Sequence, residues 1–178
     1  MKQFGMFMLA AVCAAAVGCG SNSPSSPSTT NPTTVTFTSQ LRPSNEVPAV
    51  GGAESTGTGT ATITFHLTRD AGGAIQSGTV DFQFTLTGFP AGTNIILAHI
   101  HGPAAAGANA NVLIGVTGLS PATPLALANG SGSFQVNGVA GSDAATMQAI
   151  IDNPANYYFN VHSSSNSGGV ARGQLAKQ

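Results

Sequence analysis

The sequence predicts an all-β domain, an antiparallel β-sandwich or barrel with one short connecting helix. Three observations carry this. First, apolar residues recur with a period of two. Ile63, Phe65 and Leu67 alternate with Thr62, Thr64, His66 and Thr68, and Val80, Phe82, Phe84 and Leu86 alternate with Thr79, Asp81, Gln83 and Thr85. Second, turn-forming clusters separate such runs, at Asp70-Ala71-Gly72-Gly73, Gly88-Phe89-Pro90-Ala91-Gly92, Gly102-Pro103 and Asn129-Gly130-Ser131-Gly132. Third, a helical pattern interrupts the period only at residues 142–153. Many short strands and a single helix suit a sandwich or barrel.

The chain opens on a targeting segment. Lys2 supplies the positive charge, and residues 4–17 form an apolar stretch too short to span a bilayer, so residues 1–18 read as a signal peptide. Ala16-Val17-Gly18-Cys19 resembles a bacterial lipobox, with Ala16 where that motif most often carries Leu. The resemblance implies a bacterial lipoprotein: cleavage before Cys19, lipid on its sulfur, and a place in the cell envelope facing the periplasm or exterior. Simple cleavage leaving Cys19 free is the alternative. Cys13 lies in the removed segment, so the folded domain has no thiol for a disulfide or a cysteine metal site. Residues 19–34, rich in Ser, Thr, Pro and Asn without an apolar period, form a tether.

The domain is expected over residues 35–178. Val35, Phe37 and Leu41 share a parity and begin the first strand, followed by the two alternating runs above. Further strands are expected at residues 94–101, 112–117, 132–136, 156–162 and 170–176. Residues 45–50 carry Pro48, which suits an edge or a loop. In the helix, Ser142 is the N-cap candidate, Asp143 an acid in the first turn, and Met147, Ile150 and Ile151 the apolar face, with Pro154 beyond its end. Tyr157, Phe159 and Val161 are expected to face the core, with Tyr158, Asn160 and His162 on the other side. The chain has nine Phe and no Trp, so the core is expected to be Phe, Ile, Leu and Val.

Chemistry concentrates in Ala98-His99-Ile100-His101-Gly102-Pro103 and Asn160-Val161-His162. On a strand His99 and His101 point to one face with Cα atoms roughly 7 Å apart, within reach of one ion. Three imidazoles suit copper, zinc, nickel or ferrous iron, and leave a position open. Arg172 is a candidate to draw a small anion, and Glu46 to act as its counter-ion or to support a ligand. The same residues also read as a metal-free, hydrogen-bonded cluster with a plain Glu46–Arg172 pair. His66, on a Thr-rich face, reads as an exposed residue and only secondarily as a fourth ligand.

Other functions find little support. Charged residues make up 6% of the chain and the net charge is −1, with Arg42, Arg69, Arg172 and Lys177 scattered singly, so nucleic acid is not an expected partner. The glycines fall between strands rather than before a helix that could cradle phosphate. Six acids are too few to suggest a glycosidase pair.

Four motifs resemble the CHRD domain, the module named for its repeats in chordin. They are Asn45-Glu46-Val47-Pro48-Ala49-Val50, the His-x-His segment, Tyr158-Phe159-Asn160-Val161-His162, and Gly168-Gly169-Val170-Ala171-Arg172-Gly173-Gln174-Leu175. The family usually ends on Glu-Ile-Arg-Gly, where Val170-Ala171 stand here. The resemblance implies an immunoglobulin-like or superoxide-dismutase-like barrel, and no settled activity. A weaker resemblance runs to copper/zinc superoxide dismutases, whose order of a His-x-His, a late Val-His and then an Arg beside the copper is matched by His99, His101, His162 and Arg172. A fourth copper-site histidine, the zinc loop and the disulfide of those enzymes have no counterpart. The expected function is thus a lipid-anchored binding module with one copper ion on His99, His101 and His162. The alternatives are a metal-free interaction domain with a protein or glycan partner, and a copper-only redox enzyme.

Overall fold

The computed structural model describes Met1 and residues 31–178; the signal peptide expected after Met1, Cys19 and most of the expected tether lie outside the described residues. The domain is the expected antiparallel sandwich. Its strands are β1 (Thr34–Leu41), β2 (Thr58–Arg69), β3 (Ile75–Thr87), β4 (Thr93–His101), β5 (Val112–Gly115), β6 (Leu125–Leu127), β7 (Gly132–Ala140), β8 (Tyr158–Ser163), β9 (Ala171–Gln174) and β10 (Ala176–Lys177), and the helix is α1 (Ala144–Asp152). One sheet has the order β10-β1-β2-β3-β7. The other has the order β5-β4-β8-β9, with β6 also paired to β4.

The period-two pattern sets the register. Ile63 lies between Phe37 on β1 and Phe82 on β3, and Phe65 between Val35 and Val80, so one face of three strands is apolar apart from the buried Ser39, whose hydroxyl donates to the Gly173 carbonyl. The threonines between them form the solvent face, where Thr36 and Thr64 meet across strands. Phe159 of β8 closes the core by stacking on Phe82 with ring centroids 5.8 Å apart, which joins the two sheets.

Several boundaries differ from expectation. β6 carries only three residues, too few to show a period. The strand expected over residues 170–176 divides at the buried Leu175: β9 pairs with β8, whereas β10 crosses to β1. The helix cap is Asp143, not Ser142. The Asp143 carboxylate accepts the Thr146 N–H at 2.9 Å, while Ser142 Oγ donates to that carboxylate at 3.4 Å. Residue 143 is the last with extended backbone before the helix, and a cap side chain must reach the N–H three residues on. Met147, Ile150 and Ile151 are buried as expected.

The largest departure concerns β8. An alternating strand on a two-layer sandwich should expose one face, yet all six residues of β8 are buried. Chain segments cover its outer face. Asn45 Nδ2 donates to the Arg172 carbonyl at 3.0 Å, Ala110 N–H donates to Tyr158 Oη at 3.2 Å, and Ser167 lies against His162. The histidines therefore sit between a sheet and a roof of loops.

Candidate metal centre

β4 and β8 are hydrogen-bonded neighbours, with His99 opposite Asn160, His101 opposite Tyr158 and His162 opposite Leu97. The inward residues Ala98, Ile100, Phe159 and Val161 belong to the core, so the alternate residues must project outward. This places His99, His101, Tyr158, Asn160 and His162 on one face, joined by Arg172 of β9, which lies opposite Asn160.

The three histidines come together as expected: one ring nitrogen from each lies within 4.8 Å of the others. His99 Nδ1 is 3.0 Å from His162 Nε2. His162 Nδ1 donates to the Ser167 carbonyl at 2.8 Å, and His101 Nδ1 donates to the Ala110 carbonyl at 3.0 Å. A carbonyl only accepts, so each of these bonds fixes the proton on Nδ1 and turns a bare Nε2 away from the carbonyl. His101 Nε2 meets Asn160 Oδ1 at 3.1 Å, and its ring stacks on Tyr158 with the planes 2° apart.

Burial disfavours the charged form of every ring. It pushes His99 down to about 4, helped by the neighbouring His162 and His101. His101 is also pulled down by burial, against the bonds to Ala110 and Asn160 that favour its proton. Burial lowers His162 as well, against its bond to Ser167. Neutral imidazoles are the form a metal ion requires, and His99 Nδ1, which here donates to His162 Nε2, would release that proton on binding one.

Arg172 is 2% exposed and holds the loops through two of its nitrogens. Its Nε donates to the Asn45 carbonyl at 2.6 Å, Nη1 donates to Asn109 Oδ1 at 2.9 Å, and the guanidinium lies 4.5 Å from the Tyr158 ring centroid. Nη2 is buried and has no hydrogen-bond partner among the described residues. Glu46 lies beside it, Oε2 3.8 Å from Nε, as the expected counter-ion. That separation is a charge contact rather than a hydrogen bond. Burial drives the Glu46 carboxyl up to about 7, opposed by Arg172 and by the Asn160 amide.

His66 stands apart. It lies on β2 in the opposite sheet, nearly half exposed, and pairs with Asp81 at 2.8 Å. It is not a fourth member of the trio.

Parity places Tyr158 and Asn160 beside His162, as expected, but the sequence assigned neither a role and did not single out Asn109. Nor did it mark Glu54, which is buried and accepts a 2.7 Å bond from Ser163 Oγ at the base of the loop that carries Ser167. The backbone carbonyls of Ala110 and Ser167 leave no trace in residue identity. Gly169 does: its φ is +134°, and a Cβ there would lie 2.7 Å from Asn160 Nδ2 and 2.8 Å from Glu46 Oε1.

The fold and the outward polar cluster define a class, a small antiparallel β-sandwich with a loop-roofed histidine trio. The chain belongs to the CHRD domain family, whose model matches residues 37–175. No curated protein and no solved structure matches the chain.

Proposed function

We propose that this chain is a binding module that holds one copper-type ion on His99, His101 and His162. One observation carries the reading. His101 and His162 each donate Nδ1–H to a backbone carbonyl, Ala110 and Ser167, and present the other nitrogen to a shared volume with His99. Metal-binding histidines are held in this way, because the outer hydrogen bond fixes the tautomer and aims the ring. The nitrogen set suits copper, and also zinc or nickel.

The lipobox-like Ala16-Val17-Gly18-Cys19 supports a lipid anchor at Cys19, and residues 19–34 supply a tether that holds the domain off the membrane in the bacterial cell envelope. Labelling with a radioactive fatty acid, lost in Cys19→Ser, tests the anchor.

The metal test is elemental analysis of the full chain after copper loading and gel filtration. Copper bound in a one-to-one ratio and lost in His101→Ala supports the reading. Equal copper in the two proteins refutes it. A second reading is a metal-free interaction domain, favoured by the 3.0 Å contact of His99 with His162, which satisfies both nitrogens without an ion. That reading requires that neither chelator nor added copper moves the melting temperature.

A further inference from the structure

Asn160 is 2% exposed, and it lies opposite His99 in the strand register. Its Oδ1 is 3.1 Å from His101 Nε2. The His101 proton sits on Nδ1, held by the Ala110 carbonyl. The neutral ring therefore turns a lone pair toward an amide oxygen that also carries only lone pairs. Two acceptors at hydrogen-bond distance, both buried, repel unless something positive lies between them.

With Glu46 ionised, the amide cannot relieve this by turning over. Its Nδ2 donates toward Glu46 Oε1 at 3.4 Å, and reversal would set Oδ1 against a carboxylate. Gly169 leaves the space in which this contact forms. A cation drawn to both lone pairs converts the repulsion into two coordinate bonds, and a ring proton is the competing occupant.

We propose that Asn160 Oδ1 is the fourth ligand of the ion held by His99, His101 and His162, which makes the centre a closed set of three nitrogens and one oxygen. The assignment rests on the metal reading above. A copper(II) ion with nitrogen and oxygen donors takes a tetragonal arrangement, in which bonds of about 2.0–2.2 Å set neighbouring donors about 2.8–3.1 Å apart and opposite donors about 4.0–4.4 Å apart. His99 with His162 at 3.0 Å and His101 with Asn160 at 3.1 Å have the neighbour spacing, and the histidine nitrogens lie within 4.8 Å of one another, so the widest pair closes by a few tenths of an ångström. Glu46 acts as a positioning residue: by accepting from Nδ2 it keeps the oxygen aimed at the metal. With all four equatorial positions taken by the protein, no strongly bound position is left for a substrate, so the centre serves binding or storage and not turnover at the ion.

The test uses the full chain loaded with Cu(II) at about pH 8, where Glu46 is ionised. Pulsed EPR of exchangeable protons reports whether water is bound equatorially to the copper. The wild type is expected to show no equatorial water. Asn160→Ala is expected to gain one equatorial water and to bind copper at least tenfold more weakly. Asn160→Asp keeps an oxygen in place and is expected to retain the closed spectrum. A wild type that carries an equatorial water, or an Asn160→Ala variant of undiminished affinity, overturns the assignment while leaving copper binding intact. Wild-type chain that binds no more copper than His101→Ala overturns the metal reading as well. The wild-type water measurement decides the matter even if Asn160→Ala fails to fold.

Discussion

Glu46 gives the domain a pH response that one substitution isolates. Its carboxyl titrates at about 7 in the fold and near 4.5 in the unfolded chain. A carboxyl with a raised folded pKa holds its proton more tightly when native, so protonation stabilises the fold. That stabilisation is complete below about 4.5 and is lost as pH rises through about 7. At about 1.36 kcal/mol per pKa unit, this amounts to about 3 kcal/mol. His99 works in the opposite sense. Its folded value is about 4 against 6.5 unfolded, so its contribution is present above 6.5 and is lost as pH falls toward 4. In the wild type the two slopes oppose each other between 4.5 and 6.5. Glu46→Gln removes one of them. The stability of the wild type minus that of Glu46→Gln is therefore expected to grow by about 3 kcal/mol between about pH 7.5 and about pH 4.5. Urea unfolding followed by far-UV circular dichroism, with chelator present to remove metal linkage, measures it. A difference that stays flat or shrinks on acidification refutes the reasoning. Shrinkage is what a carboxylate dominated by Arg172 instead of by burial gives.

Three further outcomes follow from the packing. Phe159→Ala, which removes the ring between the two sheets, is expected to cost about 3–5 kcal/mol in urea unfolding. Asp143→Ala is expected to cost about 1 kcal/mol and Ser142→Ala less than about 0.5 kcal/mol, because only Asp143 caps the helix; equal losses in thermal unfolding count against this assignment. His66→Gln breaks an exposed pair and is expected to change stability by less than about 1 kcal/mol and copper content not at all; a loss of copper on elemental analysis places His66 in the centre after all.

The sequence by itself determined the architecture, because a two-residue side-chain period admits only a sheet with one apolar face. Val35, Phe37, Ile63, Phe65, Val80 and Phe82 are all buried on that face. It also determined which face of β4 and β8 carries the histidines, since parity requires no knowledge of neighbours. Tertiary structure alone decided what that face becomes. The pairing of β4 with β8 joins residues about sixty positions apart, and the segments around Asn45, Ala110 and Ser167 fold back over an outer face that parity would leave in water. The tautomer of His101, the burial of Arg172 and the aim of Asn160 depend on backbone carbonyls and loop paths, which side-chain pattern does not encode. The strand ending at Leu175 divides for the same reason, because hydrogen-bonding partners across a sandwich are a property of the assembled sheets.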